Sequence, residues 1–393
     1  MSRLTLFHVE FLFLILFFTT TAKAQKEAET FNVDSTLYEY YQRCQEYLLK
    51  PVVLSMSDTL FRMAGERHDE RMQAVAIATR LDYYYFQGTN EDSVIHYTNK
   101  VKEFAKATHQ PKYYYFAWAN RLVTYYLKTS RTNIALYEVQ NMLKEAQEED
   151  DKTGLSRCYN IMSQIYTIKR FDSMAFEWRL KEIELTEKYN IENYNISQTY
   201  AQIANYYISQ KKQKEALRAV EKAISTANSS TQQISAKLEY VNYYSKFGDF
   251  QAAEKILKEC QIAFEQDKRL ESIKKRLYNI ECLYYQQTRQ YQKALEAAEM
   301  QEKEEHRLSE SILSSSHYRT QGEIYQKMGN MNMAVKYLQM YINTDDSLKI
   351  ANEQVASSEF ATLLNVEKLN AEKKELMLQA QEKELHNKTT LII

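Results

Sequence analysis

Amide side chains recur along the middle of this sequence at spacings near 40 residues. Asn120, Asn160 and Asn279 form one series, and Gln164, Asn205 and Asn242 form a second series one helical turn later in the repeat. An amide can donate to and accept from a peptide backbone at the same time. Aligned amides therefore indicate that an extended peptide is held, although soluble helix surfaces also carry Asn for no such purpose.

Residue types that usually carry catalysis are present but scattered. The seven histidines include no His-Glu-x-x-His motif, and the sequence has no Rossmann or Walker glycine loop and no Gly-x-Ser-x-Gly elbow. Carboxylates are abundant, as on any charged helix surface. We therefore expect no enzyme activity, no cofactor and no metal site.

Composition and charge narrow the class of protein. The net charge is −1, from 51 Lys and Arg against 52 Asp and Glu, so no strong positive field would attract nucleic acid. The 393 residues include only 6 Gly and 2 Pro. Because turn-rich sheet proteins need more of both, the composition favours long helices joined by short polar connectors.

A recurring tyrosine reveals the repeat that must position the amides. It stands at Tyr85, Tyr126, Tyr166, Tyr207, Tyr244, Tyr285 and Tyr325, with gaps by subtraction of 41, 40, 41, 37, 41 and 40 residues. Nine residues after each tyrosine stands a compact apolar residue, namely Val94, Ala135, Ala175, Ala216, Ala253, Ala294 and Ala334. Self-similarity at a fixed period is typical of stacked helical repeats.

The pattern within each repeat resembles the tetratricopeptide repeat (TPR). In the last repeat, the residues that match in order and spacing are Gly322, Tyr325, Gly329, Ala334 and Leu338. The resemblance implies an all-α, right-handed superhelical solenoid of antiparallel helix pairs. In it the alanine lets the second helix cross close to the first, and the tyrosine fills the wedge between helices. A TPR usually has ~34 residues, so a period near 40 is similar to the longer-helix variants of bacterial sensors.

The same resemblance implies which side chains meet a ligand. In such solenoids the first helix of each pair lines a concave groove, and the residues six and two before the tyrosine point into it. The candidate binding residues are Asn120, Asn160, Gln164, Asn205, Asn242, Asn279, Arg319 and Glu323. Chaperone-binding TPRs clamp a C-terminal carboxylate with paired Lys and Asn. Lys is absent from these positions, which disfavours that activity, and a peptide or protein is the expected partner.

The ends of the sequence have a different composition from the repeat. Residues 1–24 are interpreted as a signal peptide, because Arg3 precedes an apolar stretch and Ala22-Lys23-Ala24 is a cleavage pattern. An uncleaved anchor is the alternative, but the stretch is shorter than the ~20 residues of a spanning helix. We therefore expect an exported, periplasmic protein whose solenoid occupies residues 25–346.

After residue 346 the periodicity changes. Residues 347–388 contain no Gly or Pro, and a seven-residue series runs through Leu364, Ala371, Leu378 and Leu385. This predicts either a weak coiled coil that would form a homodimer or a long solvated single helix. Residues 389–393 end in Leu-Ile-Ile. We interpret them as the start of a membrane helix that would continue beyond Ile393 and anchor the protein in the inner membrane.

The four cysteines allow two interpretations. In an exported protein they could form two disulfides. However, Cys44, Cys158, Cys260 and Cys282 are scattered. Cys282 also lies three residues before Tyr285, at a position where other repeats carry small residues, so buried free thiols are the alternative.

Two functional hypotheses follow. The first is the extracytoplasmic sensor region of a bacterial signal-transduction protein, which would bind a peptide or protein and whose output domain is absent from this sequence. The alternative is a soluble periplasmic scaffold or assembly factor for envelope proteins. An enzyme is a third class that no motif supports.

Overall fold

A computed structural model describes residues 33–88, 90–191, 193–308 and 316–390. Over these ranges the chain is helical and contains no strand, which confirms the all-α prediction. The helices are α1 (Ser35–Glu46), α2 (Val52–Glu66), α3 (Glu70–Gln87), α4 (Glu91–Ala107), α5 (Pro111–Tyr115), a π-helix (Phe116–Val123), α6 (Thr124–Lys128), α7 (Thr132–Glu148), α8 (Lys152–Ile168), α9 (Asp172–Tyr189), α10 (Ile196–Ser209), α11 (Gln213–Ser225), α12 (Ser230–Phe247), α13 (Phe250–Gln266), a 3-10 helix (Lys268–Ile273), α14 (Lys274–Gln287), α15 (Tyr291–Leu308), α16 (Ser316–Lys327) and α17 (Met331–Thr390). The predicted signal peptide, residues 1–24, lies outside the described residues.

The chain divides into two compact units, residues 1–144 and 145–393. The first unit contains α1 to α6 and most of α7, which crosses the division. The second unit contains α8 to α17. Within each unit, consecutive helices pack as pairs, with the tyrosine on the first helix and its compact partner on the second.

Burial confirms the register that the tyrosines predict. The compact residues nine positions after them are at most 3% exposed in every pair: Val94, Ala135, Ala175, Ala216, Ala253, Ala294 and Ala334. Tyr85 and Tyr126 are buried, and the later tyrosines are half-buried. Tyr207 and Tyr244 both pack against one buried cluster that includes Ala216 and Ala204. The tyrosines are therefore packing wedges between helices.

The turn inside each pair keeps one backbone geometry with or without glycine. From Tyr126 to Tyr325, the amide five residues after the tyrosine donates to the tyrosine carbonyl, as from Asn330 to Tyr325 at 3.0 Å. The residue before that amide has a positive φ in all six turns: Ser130, Arg170, Lys211, Gly248, Arg289 and Gly329. This is the Schellman ending of a helix. Gly329 adopts this conformation readily because it has no side chain, but Lys211 and Arg289 adopt the same conformation without glycine.

Gly322 lies where the two helices of the last pair pack closely against each other. A Cβ added there would lie 2.8 Å from Cγ of Leu338 and 3.3 Å from its backbone nitrogen. Gly322 is on α16 and Leu338 is on α17, so any larger side chain would push these helices apart. This contact gives the TPR-like glycine a physical reason.

The C-terminal helix α17 runs without interruption from Met331 to Thr390. The predicted division after residue 346 falls inside this helix, because no Gly or Pro interrupts residues 331–390. Asp345 of α17 is 14% exposed and lies 3.8 Å from Arg170 in the turn after α8. None of the described helices combines the length and apolar character needed to cross a bilayer, and residues 391–393 are outside the described ranges.

All four cysteines are free and buried. Burial raises the pKa of Cys44 to about 11 and of Cys158 to about 12. Cys282 is 3% exposed in the predicted small-residue position and belongs to the cluster around Ala294. The thiols therefore serve as small core residues, and their high pKa values make them poor nucleophiles.

Substituting Gly322→Ala should destabilise the protein although alanine is the better helix former. The gain in helix propensity is about 1 kcal/mol, whereas a Cβ against the Leu338 side chain costs about 1–3 kcal/mol in strain. The measurement is the urea midpoint of unfolding followed by circular dichroism.

Two controls separate packing from propensity. At Gly65 an added Cβ meets only the flexible end of Gln73, at 2.9 Å, so Gly65→Ala should stabilise. In a Leu338→Ala background, Gly322→Ala should cost less than in the native chain. An unchanged or raised midpoint for Gly322→Ala alone would contradict the close approach.

Candidate functional site

The structure places the predicted binding residues in both units and draws several of them together. Asn120 lies in the π-helix of the first unit and is exposed, while the other seven lie in the second unit. Arg319 and Glu323 form an exposed ion pair with each other along α16, at 2.8 Å. The amides from Asn160 to Asn279, by contrast, lie on the first helices of four successive pairs, α8, α10, α12 and α14.

Asn160 and Gln164 form the start of a hydrogen-bond network. The Nδ2 of Asn160 donates to both carboxylate oxygens of Glu182, at 3.1 Å each. The Nε2 of Gln164 donates to the Oδ1 of Asn160 at 2.7 Å. Because an ionised carboxylate only accepts hydrogen bonds, Glu182 fixes the amide of Asn160 with its NH2 group inward.

Glu182 and its neighbour Arg179 are buried charges of α9, 1% and 7% exposed. Glu182 accepts a further hydrogen bond from Nδ2 of Asn193 at 2.8 Å. The Nε of Arg179 donates to Oε1 of Gln202 at 2.8 Å, and its Nη2 donates to Oγ1 of Thr167 at 2.6 Å. Within the described part of the chain, neither charge forms an ion pair. Burial raises the pKa of Glu182 and lowers the pKa of Arg179.

A cavity of about 370 Å³ opens beside these charges, and we call it the Arg179 cavity. It is lined by Asn160, Gln164, Thr167, Ile168, Arg179, Asn195, Gln198, Thr199 and Gln202. Its walls come from α8, α9, α10 and the connector before α10. The lining is almost entirely polar, and Arg179 is its only charged member.

A second cavity, of about 420 Å³, continues along the next helices, and we call it the Arg276 cavity. It is lined by Ser197, Gln198, Ala201, Thr231, Gln232, Ser235, Ala236, Ser272, Ile273, Lys275, Arg276 and Asn279. Gln198 therefore lines both cavities. Arg276 is ion-paired with Glu239, which is 1% exposed.

Asn205 and Asn242 extend the same face of α10 and α12. The Nδ2 of Asn242 donates to the Oδ1 of Asn205 at 2.6 Å and lies 3.5 Å from an oxygen of Glu239. Asn205 follows Gln198 by two helical turns, so both project from one face of α10. We define the amide surface as the set that these contacts and cavities join: Asn160, Gln164, Asn205, Asn242 and Asn279.

The first unit has a larger cavity that contains none of the predicted binding residues. Its volume is about 760 Å³, and its lining includes Tyr38, Tyr41, Tyr113 and Phe116. Asp82, also in the lining, is paired with Arg121 at 2.5 Å. Burial raises the pKa of Asp82 despite this pair.

The sequence analysis missed Arg179 and Glu182, although the register contained the signal. The position four residues after the compact residue carries Thr98, Val139, Arg179, Val220, Leu257, Ala298 and Leu338. The position seven residues after it carries Val101, Met142, Glu182, Ala223, Cys260, Gln301 and Tyr341. In the preceding pair, Val139 and Met142 are both 0% exposed. We call these two aligned positions of the second helix the core columns. When the repeats are aligned on the tyrosine, Arg179 and Glu182 are the only charged residues in these columns.

The described residues include no group of three or more His, Cys, Asp or Glu side chains arranged to hold a metal ion. Arg179 is held by Gln202 and Thr167, and Arg276 is held by its ion pair with Glu239. The arrangement presents donors and acceptors for hydrogen bonds along several helices, which suits recognition of a polar chain.

The sequence matches no protein-family model and no curated protein. Among solved structures, apo RapI has 14% sequence identity and a TM-score of 0.52, over 84% of this chain and 92% of RapI. The apo quorum sensor NprR from B. thuringiensis has 15% identity and a TM-score of 0.48, over 81% and 91%. A tetratricopeptide repeat protein from Parabacteroides merdae has 13% identity and a TM-score of 0.43, over 82% and 99%. Together with the helix pairs, the similarity to RapI shows a TPR-like helical repeat fold.

Proposed function

We propose that this protein is a non-enzymatic binding module that holds an extended peptide, or an extended segment of another protein, along its amide surface. The observation that carries the proposal is the continuity of that surface. Two cavities that share Gln198 follow the first helices of four successive pairs. A peptide backbone presents a donor and an acceptor at each residue, and side-chain amides can match both.

The state of the amides also supports peptide binding. Asn205 and Gln164 are exposed, and Asn160 and Asn242 are half-buried, so a ligand can reach them. Their hydrogen bonds to one another and to Glu182 hold the side chains in place before a ligand arrives. Preorganised groups lose less conformational entropy on binding.

Replacing two amides should weaken peptide binding and leave the fold intact. A peptide selected from a random library should bind Asn205→Ala with Asn242→Ala about tenfold more weakly, since each lost hydrogen bond contributes about 0.5–1.5 kcal/mol. Isothermal titration measures the affinity, and circular dichroism measures the fold.

The matched control removes two exposed amides from second helices. Asn141 is on α7 and Gln251 is on α13, and both are exposed. Asn141→Ala with Gln251→Ala should bind like the native chain. Equal affinity for the Asn205 and Asn242 double variant would rule out the amide surface as the binding site.

We further propose that the module is exported and that it serves as the sensor region of a bacterial signalling protein. Residues 1–24 support export through their cleavage pattern. Helix α17 supports a relay, because its Asp345 contacts Arg170, which lies two residues after Ile168 of the Arg179 cavity. A ligand in that cavity would lie close to the part of the long helix that contains Asp345.

Fractionation of native cells tests the location. The sensor proposal expects a mature protein that begins at Gln25 and sediments with the inner membrane. A mature protein that is free in the periplasm would favour the scaffold for envelope assembly. A cytosolic protein with residues 1–24 intact would contradict export altogether.

A further inference from the structure

The α8–α9 pair alone among the seven tyrosine-marked pairs carries charged side chains in the two core columns of its second helix. Arg179 and Glu182 occupy the two columns of the second helix that face the first helix, where the preceding pair has Val139 and Met142. The following pair has Val220 and Ala223 there, both 0% exposed. The same packing is therefore achieved elsewhere in this chain with apolar side chains, and the fold does not require these charges.

Burial disfavours the charged form of both side chains, since it lowers the pKa of Arg179 and raises the pKa of Glu182. A buried charge is usually paired with an opposite charge or with a metal. The hydrogen-bond partners of Arg179 are instead the neutral Gln202 and Thr167, and the carboxylates of Glu182 and Asp172 act on its charge only through space. A charge that weakens the fold and lines a cavity is a candidate for binding a ligand of the opposite sign.

The hydrogen bonds around the cavity determine which groups can meet a ligand. Gln202 accepts from Nε of Arg179, so its Oε1 is held against Arg179 and its NH2 group is left to donate elsewhere. The Nη1 of Arg179 has no protein partner within the described part of the chain. The Nδ2 of Asn160 already directs an N–H at the two carboxylate oxygens of Glu182.

Resting on the proposed peptide-binding function, we propose that the Arg179 cavity binds a carboxylate of the peptide, with Arg179 and Gln202 as the donors. The carboxylate is either the C-terminus or an Asp or Glu side chain. The planar guanidinium can donate two parallel hydrogen bonds to such a group. The site differs from the Lys and Asn clamp of chaperone-binding TPRs, since its charge comes from an arginine on the second helix of a pair.

Paired peptide libraries test this proposal with the full chain. The peptides are random hexamers anchored through their N-termini, and they carry either a free C-terminal carboxylate or a carboxamide. Each form is made with and without Asp and Glu in the random positions. Peptides that carry a carboxylate should bind the native chain at least about tenfold more tightly than peptides without one. Tighter binding of peptides with a free C-terminus would identify the C-terminal carboxylate as the ligand. Tighter binding of carboxamide peptides that contain Asp or Glu would identify a side-chain carboxylate.

Variants of Arg179 connect the preference to this side chain. Arg179→Met should abolish the preference for a carboxylate while the weaker binding of carboxamide peptides remains. Arg179→Lys keeps the charge but loses the planar fork, so it should retain only part of the preference. Arg218→Met removes one positive charge from an exposed position on α11, outside both cavities, and it should behave like the native chain.

A double variant keeps the test decisive if a single substitution unfolds the protein. Arg179→Val with Glu182→Met copies Val139 and Met142 of the preceding pair, so it should fold at least as stably as the native chain and show no preference. Equal binding of all peptide forms by the native chain, or a preference that survives in the double variant, would overturn the carboxylate site. If no peptide of any form binds, the proposed function fails as well. If only the Asn205 and Asn242 variant loses binding, the proposed function stands without the carboxylate site.

Discussion

The contact between a wedge-shaped tyrosine and a compact residue nine positions later determines the structure of this protein. Two helices can cross closely only where one of the side chains at the crossing is small. Away from the crossing the helices diverge, and the space between them must be filled by a larger side chain. Alanine or valine is the small side chain in each of the seven pairs, and the tyrosine is the larger side chain that fills the space. Because the contact recurs near every 40 residues, it sets which residues of each helix face inward and which face a ligand.

Much of this architecture could be predicted from the sequence, since the contact is local. The tyrosine and its partner lie in adjacent helices, so a single repeat shows both of them. The helix pairs, the compact positions and the buried place of Cys282 are confirmed for that reason. The turns were harder to predict, because the Tyr carbonyl accepts the capping bond whether the positive-φ residue is Gly329 or Lys211.

The candidate site was less predictable because its contacts join different pairs. Counting back from the tyrosine identified Asn160 and Asn205, but it could not show that Asn205 accepts a hydrogen bond from Asn242 of the next pair. The same counting also places Leu238 toward the groove, whereas the structure buries it completely. Residues six before the tyrosine lie at the edge of the core, so whether a given one reaches the groove depends on the neighbouring pair.

Core positions of this fold can serve either packing or binding. Nine of the fourteen positions in the two second-helix columns carry Val, Leu, Ala, Met or Cys, whereas the α8–α9 pair has Arg179 and Glu182 there. Such an exchange lowers stability locally, and a stacked repeat tolerates it because the neighbouring pairs supply interfaces of their own. The columns that hold the solenoid together can therefore also place a charge beside the amide surface.

Amide hydrogen exchange with and without a bound peptide tests the central claim most directly, because it reports on every helix in one experiment. The account predicts that a peptide slows exchange in the first helices of the second unit, α8, α10, α12 and α14. Exchange in the second helices α11, α13 and α15 should change little. Protection confined to those second helices, or to the first unit, would contradict the amide surface as the place where this protein binds its partner.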